Sequence, residues 1–262
     1  MEKLLIIPTY NEKENIANIL HAVFALKQNF HVLIIDDGSP DETAKIVKSL
    51  FDQYPGQLFL EERIGKLGLG TAYIHGFQWA LNKGYCFIFE MDADFSHNPD
   101  DLDKLYQACK TGNADVSIGS RYVKHGRIEN WPWSRVSISK SGALYTRILT
   151  LMPIKDPTAG FVCYKREVLE AINLDEITFV GYAFQIEMKF AAWKLGFKIK
   201  EVPITFVDRK FGISKMNKGI VKEGILGVLK LKWMSMFKKY RKRVKNIPGI
   251  SPTFQSEILS KL

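Results

Sequence analysis

Two carboxylates one residue apart, Asp92 and Asp94, follow the apolar run GYCFIFE in the segment MDADFSHNP, residues 91–99. In extended chain, residues i and i+2 face the same way, so both acids aim into one small volume. Unpaired they repel, and one pKa rises. A divalent cation removes the conflict. Oxygen-only ligands suit magnesium or manganese, which takes one or two carboxylates plus substrate phosphates. The competing reading makes both acids caps of the next helix, but Asn98 followed by Pro99 is the better-placed start. His97 reads as a loop bystander. A second acidic group, Asp36-Asp37-Gly38-Ser39, ends another apolar run. Alone it reads equally as a strand-to-helix turn with glycine at positive φ.

The cations complete the pattern. Arg121 ends the run DVSIGS, Arg135 and Lys140 lie in WPWSRVSISKSG, and Arg209, Lys210 and Lys215 lie in VDRKFGISK. Guanidinium groups suit bidentate phosphate binding. GKLGLG (65–70) is not a GxxxxGK[ST] loop, and no GxGxxG fingerprint occurs. It reads as a flexible loop bringing Arg63 and Lys66 near the same edge. An acidic metal site ringed by arginines suggests a polyphosphate substrate. No Ser-His-Asp or Cys-His pair stands at suggestive spacing, which argues against a covalent hydrolytic mechanism.

Strands that bury both faces must position these groups. KLLIIP (3–8), HVLIID (31–36), Leu58 to Glu61, FIFEMD (87–92) and DVSIGS (115–120) read as strands. Between them, Glu12 to Leu26, a segment from Asp41, Leu69 to Leu81, and Asn98 to about Ala108 read as helices. The alternation predicts an α/β fold, a mostly parallel sheet with helices on both faces. Right-handed crossovers then put every strand's C-terminal end on one edge, where ligands bind. Pro8 to Glu12, Asp36 to Ser39, Asp92 to Asp94, and Ser120-Arg121 all fall there.

The 262 residues, 46% hydrophobic and 25% charged, fit one large domain. Three scattered cysteines argue against a disulfide framework and for a reducing compartment. The N-terminal apolar run is short for a signal peptide, and no window approaches the length of a membrane span. Residues 218–245 hold ten Lys or Arg and one acid, which accounts for the entire net charge of +9. A neutral body with a basic appendage disfavours nucleic acid as partner.

PTYNE (8–12), DDGSPDET (36–43), GLGTAYIHG (68–76), MDADFSHNP (91–99), GSRY (119–122), DPTAGF (156–161), FQIEM (184–188) and DRKFGISK (208–215) occur in this order. Together they resemble the family 2 glycosyltransferases of GT-A, Rossmann-like fold, and among them the polyprenyl-phosphate (dolichyl-type) mannosyltransferases. The resemblance covers residues 3 to about 215. It implies GDP-mannose as donor, a polyprenyl phosphate as acceptor and Mg2+ or Mn2+ as cofactor. It implies that Pro8, Tyr10, Glu12 and Asp37 hold the nucleotide and that Asp92 and Asp94 bind the metal. Ser96 stands where some relatives have a ligating glutamine and would act through water. Arg121, Arg135 and Ser139 would receive the acceptor phosphate. Arg209 and Lys215 would close over the donor diphosphate, with Asp94, Arg121 and Arg209 at the centre of catalysis. Asp156 and Glu187 would position the sugar or a basic loop.

Residues 1–217 thus form the expected catalytic domain. From Ile225, apolar residues at Leu226, Leu229, Trp233, Met236, Phe237 and Tyr240 mark one helix face. A basic amphipathic helix over 218–245 would either lie on anionic lipid or pack its apolar face on the domain. Relatives often add transmembrane helices after this point. The expectation here is a peripheral enzyme on the cytoplasmic face of a membrane, with room for a small membrane protein as partner. Residues 246–262 read as a disordered tail. Two alternatives stay open: UDP-glucose or UDP-N-acetylglucosamine as donor, and a non-catalytic nucleotide-sugar or lipid-binding protein.

Overall fold

The computed structural model describes residues 2–181, 183–209, 218–236 and 240. In chain order the elements are β1 Lys3–Thr9, α1 Ile16–Phe24, β2 His31–Asp36, α2 Thr43–Ser49, β3 Leu58–Glu62, α3 Leu69–Lys83, β4 Phe87–Glu90 and α4 Asp101–Lys110. There follow β5 Val116–Ser120, β6 Arg127–Glu129, α5 Trp133–Thr150, β7 Val162–Lys165, α6 Arg166–Ala171, α7 Ala183–Lys194, β8 Ile199–Pro203, β9 Thr205–Val207 and α8 Lys218–Met234.

Seven strands form one sheet in the order β3-β2-β1-β4-β7-β5-β8, and β6 pairs with β9 beside it. Every pairing is parallel except those of β7, which runs against β4 and β5. The strand order reverses between β1 and β4, so a crevice opens there at the strands' C-terminal ends. Because β7 is antiparallel, its first residue sits at that same edge, with Val162 opposite Glu90 and Ile118. The DPTAGF segment is thereby delivered to the crevice.

The central strands read as unbroken apolar runs because helices cover both faces. Leu4, Ile6, Leu33 and Ile35 pack with Tyr73 and Phe77 of α3 and with α7. The alternate residues Leu5, Ile7, Val32 and Ile34 pack with α1 and with Leu102 and Leu105 of α4. Two core layers result, one on each face.

Three boundaries differ from expectation. β4 ends at Glu90, so Asp92 and Asp94 lie in a loop rather than in extended chain, with Phe95 at φ 59°. α1 begins at Ile16, because residues 11–15 are engaged in turn contacts: the Asn11 amide donates to Ser39 Oγ and the Glu12 amide to Thr43 Oγ1. α4 begins at Asp101, and Asn98 instead closes the turn before it through Asp100 N–H. The stretch WPWSRVSISKSG, to which the sequence pattern assigns no element, runs into the long helix α5.

α3 lies close on the sheet because of Gly76. A Cβ there would fall 2.9 Å from side-chain carbons of both Ile6 and Ile35. Gly76→Val is expected to lower stability by about 1–3 kcal/mol through overpacking, measured by denaturant unfolding. An unchanged midpoint would show that the helix yields freely.

Candidate active site

The crevice between β1 and β4 gathers the acidic groups, and each is held differently. Asp36 is buried and accepts from Thr9 Oγ1 at 2.8 Å, Ser39 N at 2.8 Å and Ser39 Oγ at 2.6 Å. It builds the turn and is structural. Asp37 takes Arg63 Nε at 2.7 Å and the Leu67 amide at 3.1 Å, and Arg63 Nη2 also pairs with it. Gly38, at φ 66°, lets this turn approach residue 65, where a Cβ would come within 3.0 Å of the backbone nitrogen. Lys66 Nζ lies 4.7 Å from the centre of the Tyr10 ring. The GKLGLG loop therefore covers Tyr10 and Asp37. Pro8 is half-buried one residue before the end of β1, in register with Ile35, and the Glu12 carboxylate accepts from the Asn15 side-chain amide.

Asp92 is about two-fifths exposed, whereas Asp94 is buried. The Asp94 carboxylate accepts from Ser96 N at 3.0 Å and pairs with Arg209 Nη2 at 3.1 Å. Burial pushes its pKa up, but the contacts with Ser96 and Arg209 prevail and hold it below the usual carboxylate range. The expected rise therefore does not fall on Asp94. It falls on Glu90, which burial drives to about 8, with Lys189 and Gln185 opposing and Asp92 adding repulsion.

His97 is buried, stacked on Phe161 and edge-on to Phe206. The Asp92 N–H donates to its Nδ1 at 3.4 Å, which leaves the proton on Nε2. Burial lowers its pKa to about 4, although Asp94 pulls the other way. A neutral ring results, wedged behind the two acids.

The sequence also failed to single out a polar tie beneath the site. Lys189 of α7 is fully buried and donates to the carbonyls of Ala159 and Gln185 and to Gln185 Oε1, at 2.7–3.0 Å. Gln185 Nε2 donates to Glu90 Oε2 at 2.9 Å. Burial lowers the Lys189 pKa to about 8 against the pull of Glu90. A lysine among apolar residues in FQIEMKF was the available signal.

On the cationic side, Arg121 and Arg135 are each held by a carboxylate of the fold. Arg121 is buried, and its Nε and Nη2 grip the two Asp156 oxygens at 2.7 and 2.6 Å, with Thr158 Oγ1 at 3.0 Å. Asp156 thus holds Arg121. Glu187 accepts the Thr178 and Phe179 amides, so it fixes the loop that packs on Gly68 and Gly70. Arg135 Nη1 lies 3.1 Å from both Asp208 oxygens, and its guanidinium lies 3.9 Å from the Trp131 ring centre. Ser139 Oγ accepts from the Tyr122 hydroxyl at 2.7 Å. β9 joins the two sides: the Val207 amide donates to the Ser96 carbonyl, and Arg209, just beyond, reaches Asp94. Lys210 and Lys215 lie outside the described residues, as does the segment 246–262.

The donor set fits a divalent cation. Asp92 is open to solvent, Asp94 is ionised, and Ser96 Oγ is buried beside Asp94. Among the described residues no three His, Cys, Asp or Glu side chains converge, so water or substrate phosphate would have to complete the shell of a cation held here.

A sheet that reverses at this crevice, with carboxylates and a guanidinium on its rim, is where open α/β folds bind their ligands. The sequence profile of glycosyl transferase family 2 matches residues 4–172. The chain is 45% identical over 225 residues to the polyprenol monophosphomannose synthase of Mycolicibacterium smegmatis, covering 86% of this chain and 84% of that protein. It is 46% identical over 228 residues to the undecaprenyl-phosphate mannosyltransferase of Micrococcus luteus, covering 87% and 93%. The glucosyl-3-phosphoglycerate synthase of Mycobacterium tuberculosis, solved with Mn2+, UDP and glucosyl-3-phosphoglycerate, shares the fold with a TM-score of 0.65 at 16% identity, covering 88% of this chain and 79% of that one. The chain belongs to glycosyl transferase family 2, and its fold is the expected GT-A arrangement.

Removing Asp156 strands a buried guanidinium. Asp156→Ala is expected to cost about 3–5 kcal/mol in unfolding free energy. The double variant Arg121→Met/Asp156→Leu is expected to recover most of that loss, as read by denaturant melts. Equal loss in both variants would show that the pair itself does not set the cost.

Proposed function

We propose that the chain transfers mannose from GDP-mannose to a polyprenyl phosphate with inversion at the anomeric carbon. The observation that carries this reading is the Asp94–Arg209 pair beside Asp92, set at the switch point of the sheet. The two named mannosyltransferase relatives, matched over most of their length, support the sugar and the lipid acceptor.

The donor nucleotide would lie along Pro8, Tyr10, Glu12 and Asp37, under the Arg63–Lys66 loop. Asp92 and Asp94 would hold Mg2+ or Mn2+, with Ser96 reaching it through water. The bound ion would supply charge neutralisation for the departing diphosphate. Arg209 places a guanidinium on the same side, and Lys215 would join it. An oxygen of the acceptor phosphate forms the bond to the anomeric carbon as the bond to diphosphate breaks and GDP departs. A phosphate monoester, with a second pKa of about 6, is mostly dianionic at neutral pH and needs no general base. Neutral, buried His97 is therefore not required as one. Arg121, Arg135 and Ser139 would orient that phosphate, Arg121 as a charge already fixed by Asp156.

Peripheral membrane association belongs to the same reading. Among the described residues no helix is long and apolar enough to cross a membrane. α8 packs on α5 and α7 through Gly227, Val228 and Leu231, while Leu226, Leu229 and Trp233 stay exposed. The expected apolar face is thus mostly outward. Tyr240 leaves it and packs against Phe190. α5 adds exposed Trp133, Ile138, Leu144 and Ile148. Exposed tryptophan and aliphatic side chains on two neighbouring helices suit a lipid interface.

Purified protein with magnesium, a short polyprenyl phosphate and labelled GDP-mannose is expected to carry label into the organic phase, and EDTA to abolish it. Transfer from a UDP-sugar instead would overturn the donor. Asp94→Ala is expected to lower turnover about a hundredfold or more with the fold intact; full activity would defeat the metal assignment. Trp233→Glu is expected to weaken liposome binding while sparing transfer to a detergent-soluble acceptor. Undiminished binding would mean that this helix face does not meet lipid.

A further inference from the structure

Between the end of β5 and α5 lies a pocket of about 360 Å³, walled by Arg121, Tyr122, Lys140, Leu144, Arg147 and Lys155 and by no acidic side chain. Its inner wall is tight at Gly126, where a Cβ would fall 2.5 Å from the Ser120 carbonyl oxygen. Arg121 is already paired with Asp156. The other three cations share one recess and have no carboxylate beside them there. Arg63, Arg135, Lys165 and Arg166 each meet a carboxylate. Among the described residues Lys140, Arg147 and Lys155 form no ion pair, and Arg147 Nε is shielded from solvent without an acceptor. Like charges gathered in a recess raise its potential and concentrate anions. A buried donor without a partner also carries a cost that an incoming acceptor relieves.

The rim is apolar. Leu144 forms part of the wall and is itself exposed, and Ile148 and Leu151 are exposed farther along α5 and just past its end. A cationic recess opening onto an exposed aliphatic track matches an anionic head on an apolar chain. We propose that this pocket takes the phosphate headgroup of an amphiphile, whose chain runs along Leu144, Ile148 and Leu151. Arg135 and Ser139 do not line it, so it is a subsite separate from the one assigned to the acceptor above, with Arg121 as common wall. The inference rests on the proposed lipid-phosphate chemistry. The phosphate is either that of an acceptor held short of its reactive position or that of a neighbouring membrane phospholipid.

Equilibrium binding separates the two sources without turnover. Arg147→Gln and Lys155→Gln are compared with wild type and with Lys27→Gln, which removes one charge away from the pocket. If the acceptor fills the pocket, the Kd for a short isoprenyl phosphate in neutral detergent, followed by tryptophan fluorescence, rises about tenfold in both pocket variants, the loss of one charge-assisted hydrogen bond. If a phospholipid fills it, that Kd stays constant, and binding to phosphatidylcholine vesicles containing phosphatidylglycerol falls severalfold more than in Lys27→Gln. Pocket variants that match Lys27→Gln in both assays, with unchanged melting temperature, overturn the inference. Failure of sugar transfer by the wild type would defeat the proposed reaction but leave both binding assays readable.

Discussion

The grip of Arg121 on Asp156 decides how the rest of the site can be arranged. Asp156 has no exposed surface and accepts three bonds from Arg121, two from the guanidinium and one from the amide at 3.0 Å. It thereby ties the end of β5 to the chain entering β7. Glu201 of β8 reinforces the same junction by accepting the Lys155 and Asp156 amides and the Ser120 hydroxyl. Two carboxylates thus fix three segments far apart in sequence. Such a buried pair adds little net stability, because desolvation offsets its attraction. Its effect is positional: it aligns the edge where β5, β7 and β8 meet the crevice. The antiparallel course of β7 makes this possible, since only a reversed strand begins where its neighbours end.

Acids and cations divide the edge between them. At the β1–β4 reversal, Asp36 builds a turn, Asp37 holds Arg63 and Asp94 holds Arg209, while Asp92 is the most exposed of the four. Toward α5, basic groups prevail. β9 bridges the halves, anchored to the Ser96 carbonyl on one side and leading through Asp208 to Arg135 on the other. Opposite charges placed on two sides of one crevice keep the body near neutral overall while the local fields stay strong.

The sequence made the sheet legible because doubly covered strands are continuous apolar runs: β1, β2, β3 and β5 lie within a residue or two of expectation. The acidic and basic motifs at their ends followed from topology. Other parts left little trace. α5 fully buries only Val136, Ala143, Thr146 and Thr150, two of them polar, and exposes Trp133, Ile138, Leu144 and Ile148, so its inward stripe is faint in the sequence. α7 is buried on every side from Ala183 to Ala192 and has no amphipathic period. β7 is four residues long, too short to stand out. The carboxylates were found, but not their geometry, because β4 stops before them. Nothing local in the sequence announces that Asp156, 35 positions away, takes the Arg121 fork.

The bond chain from Glu90 through Gln185 to Lys189 bears on how this protein can change over generations. It crosses from strand to helix inside a sealed core, where either ionic group alone would be an uncompensated charge worth about 3–5 kcal/mol against the fold. A drift that neutralises one member must pass through that deficit unless the other is lost in step. Glu90 and Lys189 are therefore expected to change together, so that this hidden corner diversifies more slowly than exposed loops.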